Sequence, residues 1–477
     1  MKIRQYQELC KVCNQILINN MSTPQIVANS YLDIIRLHPE VIKKRNLPRF
    51  ANIYLPIRFR LIAVLRLLQS IFVKKHKFQQ CSELEVLFVS HLTNSQQLSK
   101  DSDVYFGGLP NQLSEKGFKS GIVLLNPTGV TNEKISNSWK RSKVARFVLN
   151  SSLCFLSEVR LYVDQIRSKK LLNYIIRDLQ INSPLAKATL LHHFSSGTFI
   201  TLRVAIQIEN IIKKTNAKYI ITTYEGHAWE RLVYYYARRA NPNIKCFGYQ
   251  HSAVFEHQNS IRRPLNSDYN PDVVLTSGTI AENIFKQSQL KIGKVVCLGS
   301  SKHSPPSLSP CESKCCLVIP EGFISESLIL FKLSLNYAIQ YQDQKFIWRL
   351  HPSLSFDKLK KHSPIFKKIP NNIYLSESNL DNDIKKCNSV LYRGSTAVVD
   401  AINAGLKPIY YQLPVNELNI DPIYQCHKGK FVVNNQNDLR IAFCKDINEV
   451  SRQSLQDFAQ DFYTPINIDV LLKEINI

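Results

Sequence analysis

The stretch from Lys345 to Tyr411 constrains the fold more than any other part of this chain. Short apolar segments alternate there with amphipathic ones, in the order strand, His-Pro loop, strand, short helix, strand, Arg-Gly-Ser-Thr turn, helix and strand. This alternation predicts βαβ units and therefore a parallel sheet. Ligands of such sheets bind outside the carboxyl ends of the strands. The two polar turns are therefore the first candidates for a site.

Both turns carry groups that suit a nucleotide phosphate. His351 precedes Pro352, which restricts its backbone to extended conformations, and its imidazole can donate to a departing phosphate oxygen. The second turn, Arg393-Gly394-Ser395-Thr396, joins a cation and two hydroxyls to the free N–H groups of a helix predicted from Ser395 to Asn403. The alternatives are a histidine that caps a loop and hydroxyls that are ordinary helix N-caps.

The first half of the chain, from Leu84, shows the same alternation. Glu225 directly follows a predicted strand, at a turn where Gly226 lets the backbone bend. A carboxylate there can act as general base on an acceptor hydroxyl; the alternative is a glutamate that only favours the helix dipole. Glu230 lies five residues further on, so we expect it to point elsewhere and to be structural.

Three further candidates follow predicted strands. His91 and His251 end strands of the first half, where either can contact the acceptor or the leaving group, unless each is a plain loop histidine. Glu321-Gly322 follows a strand of the second half, where the carboxylate can hold a ribose or a base. All of these groups are expected to face one cleft.

A Pro- and Ser-rich stretch, residues 301–313, is the best linker in the chain. The predicted fold is α/β, with two Rossmann-like, doubly wound domains facing a cleft. Residues 81–300 form the first domain, and residues 314–449 form the second. Residues 1–80 form a helical N-terminal segment, and residues 450–477 form a helical tail that packs back on the first domain.

The excess of positive charge indicates an anionic partner. The chain has 61 Lys and Arg against 37 Asp and Glu, a net charge of +24. No RNA-binding motif and no long basic tail is present, so an anionic membrane surface is preferred and no nucleic acid is expected. Ile57–Lys77 is apolar with interspersed arginines and a basic end, which is typical either of a helix in a membrane interface or of one packed on the next domain.

Cysteine usage indicates the compartment. Twelve cysteines without a secretory h-region predict reduced thiols in a cytoplasmic protein, which can attach peripherally to the inner membrane. No apolar run of 18 residues occurs, so no transmembrane helix is predicted.

No phosphate-binding GxxxxGK[ST] loop and no GxGxxG after a strand is present. Asp381-Asn382-Asp383 has the form of a metal-binding DxD motif, but it opens a short helix where Asp is a good N-cap, so no metal site is expected.

The motifs Glu225-Gly226, His351-Pro352 and Ser395-Thr396, in this order, resemble those of bacterial GT-B glycosyltransferases of surface polysaccharide assembly. The nearest groups are the sialyltransferases, polysialyltransferases and Kdo transferases that use CMP-sugars, and CDP-glycerol glycerophosphotransferases are more distant. The resemblance spans about Leu84 to Tyr411 as three short motifs. Sialyltransferases usually carry an acidic pair before the glycine, whereas Tyr224 precedes Glu225 here.

The resemblance implies an inverting glycosyltransferase that needs no metal or other cofactor. It would transfer an acidic sugar, sialic acid-like or Kdo, from a CMP-linked donor to a glycan acceptor that can be lipid-linked. The first domain would take the acceptor and the second the nucleotide sugar. Glu225 would be the general base, His351 would stabilise or protonate the nucleotide phosphate, and Ser395 and Thr396 would bind that phosphate. A UDP-sugar, GDP-sugar or CDP-glycerol donor stays open, as do an epimerase of the same fold and a non-catalytic, basic membrane- or RNA-binding scaffold.

Overall fold

The computed structural model describes residues 3–34, 51–71, 84–128, 144–288, 293–307, 314–413 and 419–475. Within them, the chain forms two parallel β-sheets, each with an apolar core on both faces, and the predicted α/β class with doubly wound sheets is confirmed. Successive side chains of a strand point to opposite faces. Phe88 accordingly packs in one core of the first sheet, and its neighbours Leu87 and Val89 pack in the other.

The first sheet has seven strands: β1 Val86–His91, β2 Ser120–Leu125, β3 Ala145–Val148, β4 Tyr219–Thr223, β5 Lys245–Gln250, β6 Val273–Thr276 and β7 Lys294–Cys297. They lie in the order β3-β2-β1-β4-β5-β6-β7, and all neighbours are parallel. The chain therefore reverses its direction across the sheet between β1 and β4. Such a switch point opens a crevice at the carboxyl ends of the strands, which is where open α/β sheets bind ligands.

The second sheet has six strands: β8 Cys315–Ile319, β9 Lys345–Trp348, β10 Ile373–Leu375, β11 Ser389–Tyr392, β12 Lys407–Tyr411 and β13 Phe431–Val433. Their order is β10-β9-β8-β11-β12-β13, again with parallel neighbours, and its switch point lies between β8 and β11. The two sheets thus repeat one winding scheme, and each offers one crevice.

Sixteen α-helices complete the described part of the chain: α1 Ile3–Ile18, α2 Pro24–Val27, α3 Ala51–Ile71, α4 Leu109–Glu115, α5 Phe155–Asp178, α6 Ser183–His192, α7 Ser196–Thr215, α8 Ala228–Ala240, α9 Thr279–Gln287, α10 Ile324–Gln340, α11 Phe356–Lys360, α12 Leu380–Ile384, α13 Ala397–Asn403, α14 Gln436–Cys444, α15 Glu449–Phe462 and α16 Ile468–Ile475. Helices α1, α2, α5, α6 and α7 share an apolar core beside the first sheet. Of the described helices, none is long and apolar enough to span a bilayer.

The last two helices tie the second sheet to the first. Helix α15 packs against α13 of the second half and against α9 of the first half. Helix α16 then places Leu471 and Ile475 in a core of the first sheet. The Tyr219 hydroxyl donates to the Ile475 carbonyl at 2.7 Å, and the Lys245 ammonium donates to the Glu474 carbonyl at 2.6 Å. The end of the chain is therefore part of the first sheet's packing.

Several elements differ from the sequence-based prediction. The edge strands β3 and β13 were not expected, and the helix after the Arg-Gly-Ser-Thr turn begins at Ala397 instead of Ser395. Asn379, not Asp381, caps α12, because its side chain accepts from the Asn382 N–H. Residues 72–77 of the predicted basic helix and residues 308–313 of the predicted linker lie outside the described residues.

Candidate functional site

The turn after β4 is built around Glu225. Gly226 adopts a φ of +80°, and a Cβ there would meet the carbonyl carbon of Ser260 at 2.5 Å, so the turn requires glycine. The buried Glu230 carboxylate accepts from the backbone N–H groups of Glu225, Gly226 and His227, at 3.0, 2.7 and 2.8 Å. The expectation that Glu230 is structural fits these contacts. The expectation that it points elsewhere is wrong, because its carboxylate folds back and fixes the Glu225 turn.

Two donors hold the Glu225 carboxylate. His227 Nε2 donates to Oε2 at 3.0 Å, and the Ser252 hydroxyl donates to Oε1. Burial raises the pKa of Glu225, but the His227 hydrogen bond, the charge of His227 and the Ser252 hydrogen bond together hold this pKa well below its ordinary value. Glu225 is therefore an ionised carboxylate at neutral pH, with one of its oxygens already facing an alcohol.

His227 is the charged partner of Glu225. Burial lowers the pKa of His227, but the hydrogen bond to Glu225 and the charges of Glu230 and Glu225 raise it to about 9. Burial also raises the pKa of Glu230 to about 7, against the charge of His227. The His227 side chain is 26% exposed and that of Glu225 is 30% exposed, so the pair lies at the edge of a crevice and not in the core.

This ion pair predicts a pH-dependent stability. The pKa of His227 is raised in the folded state, so its contribution is complete below about pH 6.5 and is lost as the pH rises through about 9. Glu225 has a lowered pKa, so its contribution requires a pH above its ordinary value of about 4.5. His227→Gln should therefore destabilise the protein most between about pH 4.5 and 6.5 and least above about pH 9, with a change on the order of 2 kcal/mol.

Urea unfolding of the wild type and of His227→Gln across pH 5–10 measures this difference. The exposed His362 provides a matched control, His362→Gln, for the loss of an imidazole. A stability difference that stays constant from pH 6 to pH 10 would contradict the proposed ion pair.

Two predicted histidines surround Glu225, together with two aromatic rings that were not predicted. The ring of His91 lies edge-on to Trp229 at 5.1 Å, and the ring of His251 lies edge-on to Tyr105 at 4.4 Å. Burial lowers the pKa of both histidines to about 4, although the charge of Glu225 opposes this shift. Both imidazoles are therefore neutral at pH 7. The Nδ1 atoms of both rings are buried and form no hydrogen bond with the described residues, while the rings as a whole are half-buried.

The second crevice brings together Glu321, Gly322, His351 and Gly394. A Cβ on Gly394 would overlap with the Glu321 carboxylate, and a Cβ on Gly322 would lie 3.0 Å from His351 Nδ1. The groups that follow β8, β9 and β11 thus converge, as the sequence-based prediction expects of neighbouring strand ends. The missing side chains at Gly322 and Gly394 make room for the carboxylate and the imidazole.

The tautomer of His351 is set by Ser353. The Ser353 N–H donates to Nδ1 at 3.2 Å, and the Ser353 hydroxyl lies 2.9 Å from the same atom. A neutral His351 ring therefore carries its proton on Nε2, which is free to donate outward. Burial lowers the pKa of His351, and the charge of Glu321 opposes this shift. Pro352 lies in the same turn, between His351 and Ser353.

The Arg393 side chain does not reach the crevice. It is fully buried, its Nε donates to Glu326 Oε2 at 2.6 Å, and an Nη donates to the Tyr411 carbonyl at 3.1 Å. The predicted contact between Arg393 and a phosphate has no support in this geometry. The guanidinium instead anchors the turn from beneath, and a phosphate at this turn would meet Gly394, Ser395 and Thr396.

The two hydroxyls after Gly394 remain accessible in part. Ser395 and Thr396 are half-buried, and Thr396 is the N-cap of α13 without a capping hydrogen bond from its side chain. Burial raises the pKa of Tyr463, and the side chain of Thr396 opposes this shift, so the two side chains are neighbours. Tyr463 comes from the segment between α15 and α16, so this segment lies beside the turn.

Lys302 carries a charge near both halves of the chain, and the sequence-based prediction missed it. Its ammonium lies 5.5 Å from the ring centroid of Tyr463. Desolvation lowers the pKa of Lys302, while the charges of Asp400 on α13 and of Glu225 raise it. This exposed cation therefore interacts with one carboxylate of each half of the chain. Within the predicted linker, a lysine carries no signal that separates it from a solvated residue.

The DxD-like motif is engaged in other contacts. Asp383 Oδ2 lies 2.7 Å from an Nη of Arg349, and the hydroxyls of Ser376 and Ser378 donate to the same carboxylate. Among the described residues, no three His, Cys, Asp or Glu side chains form a group that could hold a metal ion.

No family model matches this sequence, and no curated protein matches it. Similar solved structures include CalG4, the calicheamicin glycosyltransferase, at 10% identity and a TM-score of 0.48 over 83% of this chain and 98% of that one. The UDP-GlcNAc 2-epimerase from Neisseria meningitidis bound to UDP-GlcNAc shows 12% identity and a TM-score of 0.47 over 82% and 99%. MurG from Acinetobacter baumannii shows 11% identity and a TM-score of 0.45 over 82% and 99%. At such values, the chemistry of this chain has to be argued from its own residues.

Proposed function

We propose that this protein is an inverting glycosyltransferase that moves a sugar from a nucleotide to a hydroxyl of a glycan. One observation carries the proposal: an ionised Glu225 at the switch point of the first sheet already accepts from an alcohol, Ser252, beside the neutral rings of His91 and His251. A glycan acceptor presents the same functional group, an alcohol, to the same oxygen. Switch-point crevices are the usual ligand sites of such sheets.

On the acceptor side, Glu225 is the general base. The acceptor hydroxyl replaces the Ser252 hydroxyl at Oε1 and gives up its proton to this oxygen as its own oxygen bonds to the anomeric carbon. His227 holds Oε2 at 3.0 Å and so fixes the carboxylate for that transfer. The half-buried rings of His91, His251, Trp229 and Tyr105 form a wall against which a sugar can pack.

On the donor side, the bond from the anomeric carbon to the phosphate oxygen breaks, and the phosphate leaves with the electron pair. His351 donates from Nε2 to that phosphate, while Ser395, Thr396 and the N–H groups of their turn bind its other oxygens. Lys302 supplies a positive charge between the donor and the acceptor. In this proposal Glu321, whose buried carboxylate lies next to Gly394, holds the ribose or the base. As the resemblance implies, no metal is required, and EDTA should leave the activity intact.

The finer proposal is a CMP-linked acidic sugar, sialic acid-like or Kdo, added to a capsule or O-antigen glycan at the cytoplasmic face of the inner membrane. The net charge of +24 suits both an anionic donor and an anionic membrane. Helix α3 supports the membrane contact, because Ile57, Leu61, Val64 and Leu68 are each more than half exposed on one face, and the exposed Arg58 flanks them. Such a helix can lie in a bilayer interface and present the enzyme to a lipid-linked acceptor.

Thermal stabilisation by CMP, CDP, UMP, UDP and GDP tests the proposal. A nucleotide at 100 times its dissociation constant should add about 2.7 kcal/mol to the free energy of unfolding. We expect CMP to be effective and His351→Ala to weaken its binding at least tenfold. His362→Ala, which removes an exposed histidine eleven positions away, is the matched control and should bind CMP as the wild type does.

Each outcome bears on a different part of the proposal. A response to UDP or GDP alone would keep a nucleotide-dependent enzyme and reject the CMP donor. Release of an altered sugar from a nucleotide sugar without any acceptor would identify an epimerase. If none of the five nucleotides stabilises the protein, the glycosyltransferase proposal fails in favour of a non-catalytic scaffold.

A further inference from the structure

A cavity of about 660 Å³ lies between α3, α5 and α6, away from both sheets. Its walls are mainly apolar and include Phe59 and Ala63 of α3, Ile166 of α5, Leu190 of α6 and the buried Phe199 of α7. This volume falls within the range of ordinary small-molecule sites, which are concave, mostly apolar and carry a few polar groups that fix the orientation of the ligand. The cavity is therefore large enough to accept a ligand.

The polar groups of this cavity are all cationic or neutral. Arg60, Lys169 and Lys187 contribute to its lining, one from each of the three helices, and none of the described lining residues is acidic. All three side chains are exposed, and the Lys169 ammonium lies 5.8 Å from the ring centroid of Phe194, which also lines the cavity. An apolar interior with a cationic rim matches a molecule with an apolar chain and an anionic head.

The surroundings indicate where such a molecule would come from. Ile166 lines the cavity and is 58% exposed, so the cavity reaches the surface there. The outer face of α3 exposes Leu61 at 61% and Leu65 at 57%. Contiguous exposed apolar surface marks a site of interaction with a membrane or a partner, and the cations beside it favour an anionic bilayer.

We propose that this cavity binds one acyl chain of an anionic membrane lipid, with the phosphate of the headgroup held by Arg60, Lys169 and Lys187. This site goes beyond the proposed glycosyl transfer and does not depend on it. It would bind individual anionic lipid molecules selectively. An amphipathic helix alone adsorbs to the bilayer surface without binding one lipid molecule.

Titration calorimetry of the full chain with dodecyl phosphate, below its critical micelle concentration, tests the site. We expect saturable binding of one molecule per chain. Affinity should rise about fourfold for each added methylene from octyl to dodecyl phosphate, because each buried methylene contributes a fixed increment of transfer free energy. Dodecyl maltoside, which lacks the charge, and inorganic phosphate, which lacks the chain, should bind at least tenfold more weakly.

Variants separate the cavity from general surface charge. Ala63→Trp should place an indole among the apolar lining residues and weaken binding of dodecyl phosphate, and Lys169→Glu should weaken it at least tenfold. Lys332→Glu, at an exposed position of α10, makes the same change in net charge and should leave binding unchanged. Vesicles of phosphatidylglycerol should retain the wild type better than Ala63→Trp, and vesicles of phosphatidylcholine should retain neither.

Equal binding of dodecyl phosphate by the wild type, Ala63→Trp and Lys169→Glu would overturn the lipid site, and so would equal affinity for dodecyl maltoside. A dimer that Ala63→Trp dissociates, without any lipid binding, would assign this face to a second copy of the chain and overturn it as well. Stabilisation by nucleotides, measured on the same variants, should match the wild type. A failure of the lipid site is thereby distinguished from a failure of the proposed transfer.

Discussion

Glu225→Gln is expected to lower kcat by about 10²- to 10⁴-fold, the usual contribution of a general base. Glutamine has the same shape, and its carbonyl oxygen can still accept from Ser252, but it cannot take a proton from an acceptor hydroxyl. His227 loses its ion-pair partner at the same time. Initial rates of transfer with saturating donor and acceptor measure this effect, and the change should appear in kcat more than in KM, because the lost interaction belongs to the transition state.

The control for this variant is Glu282→Gln. Glu282 lies on α9 and pairs with Lys286 on the helix surface, so its substitution removes the same charge away from the crevice. Glu282→Gln should keep full activity, and both variants should bind the nucleotide equally well, since the donor contacts lie at the second sheet. If Glu225→Gln retains a tenth or more of the wild-type kcat, the base is a different group.

Arg393→Met is expected to lower the free energy of unfolding by about 3–5 kcal/mol, because it leaves the Glu326 carboxylate buried without its partner. The two side chains are 0% and 1% exposed, and their atoms approach to 2.6 Å. The double variant Arg393→Met with Glu326→Leu replaces both charges by apolar groups. It should recover most of the loss, since replacing a whole buried pair is often close to neutral. Chemical denaturation of the wild type, both single variants and the double variant completes the cycle.

An exposed ion pair provides the matched comparison. Lys314 and Asp343 lie 3.2 Å apart, with side chains 72% and 68% exposed. Asp343→Ala should cost less than about 1 kcal/mol, as exposed pairs usually do. If Arg393→Met is no more destabilising than Asp343→Ala, the buried pair does not anchor the turn, and Arg393 would have to be reconsidered as a ligand contact.

Most of the fold could be predicted from the sequence because each buried strand is a short apolar run followed by a polar turn. That pattern placed Glu225 and His351 at strand ends and predicted that such ends would meet. The edge strands β3 and β13 were missed; they are short, at four and three residues, and only partly buried, but the edge strands β7 and β10 share these features and were predicted. Ala145-Arg146-Phe147-Val148 even carries a charged residue in the middle of the strand.

The orientation of a site residue was harder to predict where its side chain contacts residues that are far away in the sequence. Arg393 has the same local sequence whether it faces a ligand or the core, and its partner Glu326 lies 67 positions away in the chain. Glu230 was expected to face away from the turn, but its carboxylate reaches back to three backbone N–H groups. Nothing in the spacing shows that Ser252 would meet Glu225, because this contact depends on the pairing of β4 with β5.

The position of α16 affects when the first sheet can complete its folding during translation. Leu471 and Ile475 complete a core that otherwise belongs to the first sheet, whose strands end at Cys297. During translation, this core stays open until residues 468–475 leave the ribosome, although domains generally fold as units as they emerge. The amino-terminal half therefore keeps part of its apolar surface exposed until the carboxyl-terminal half has been synthesised. A nascent chain stalled before residue 468 should engage chaperones, whatever the state of its second sheet.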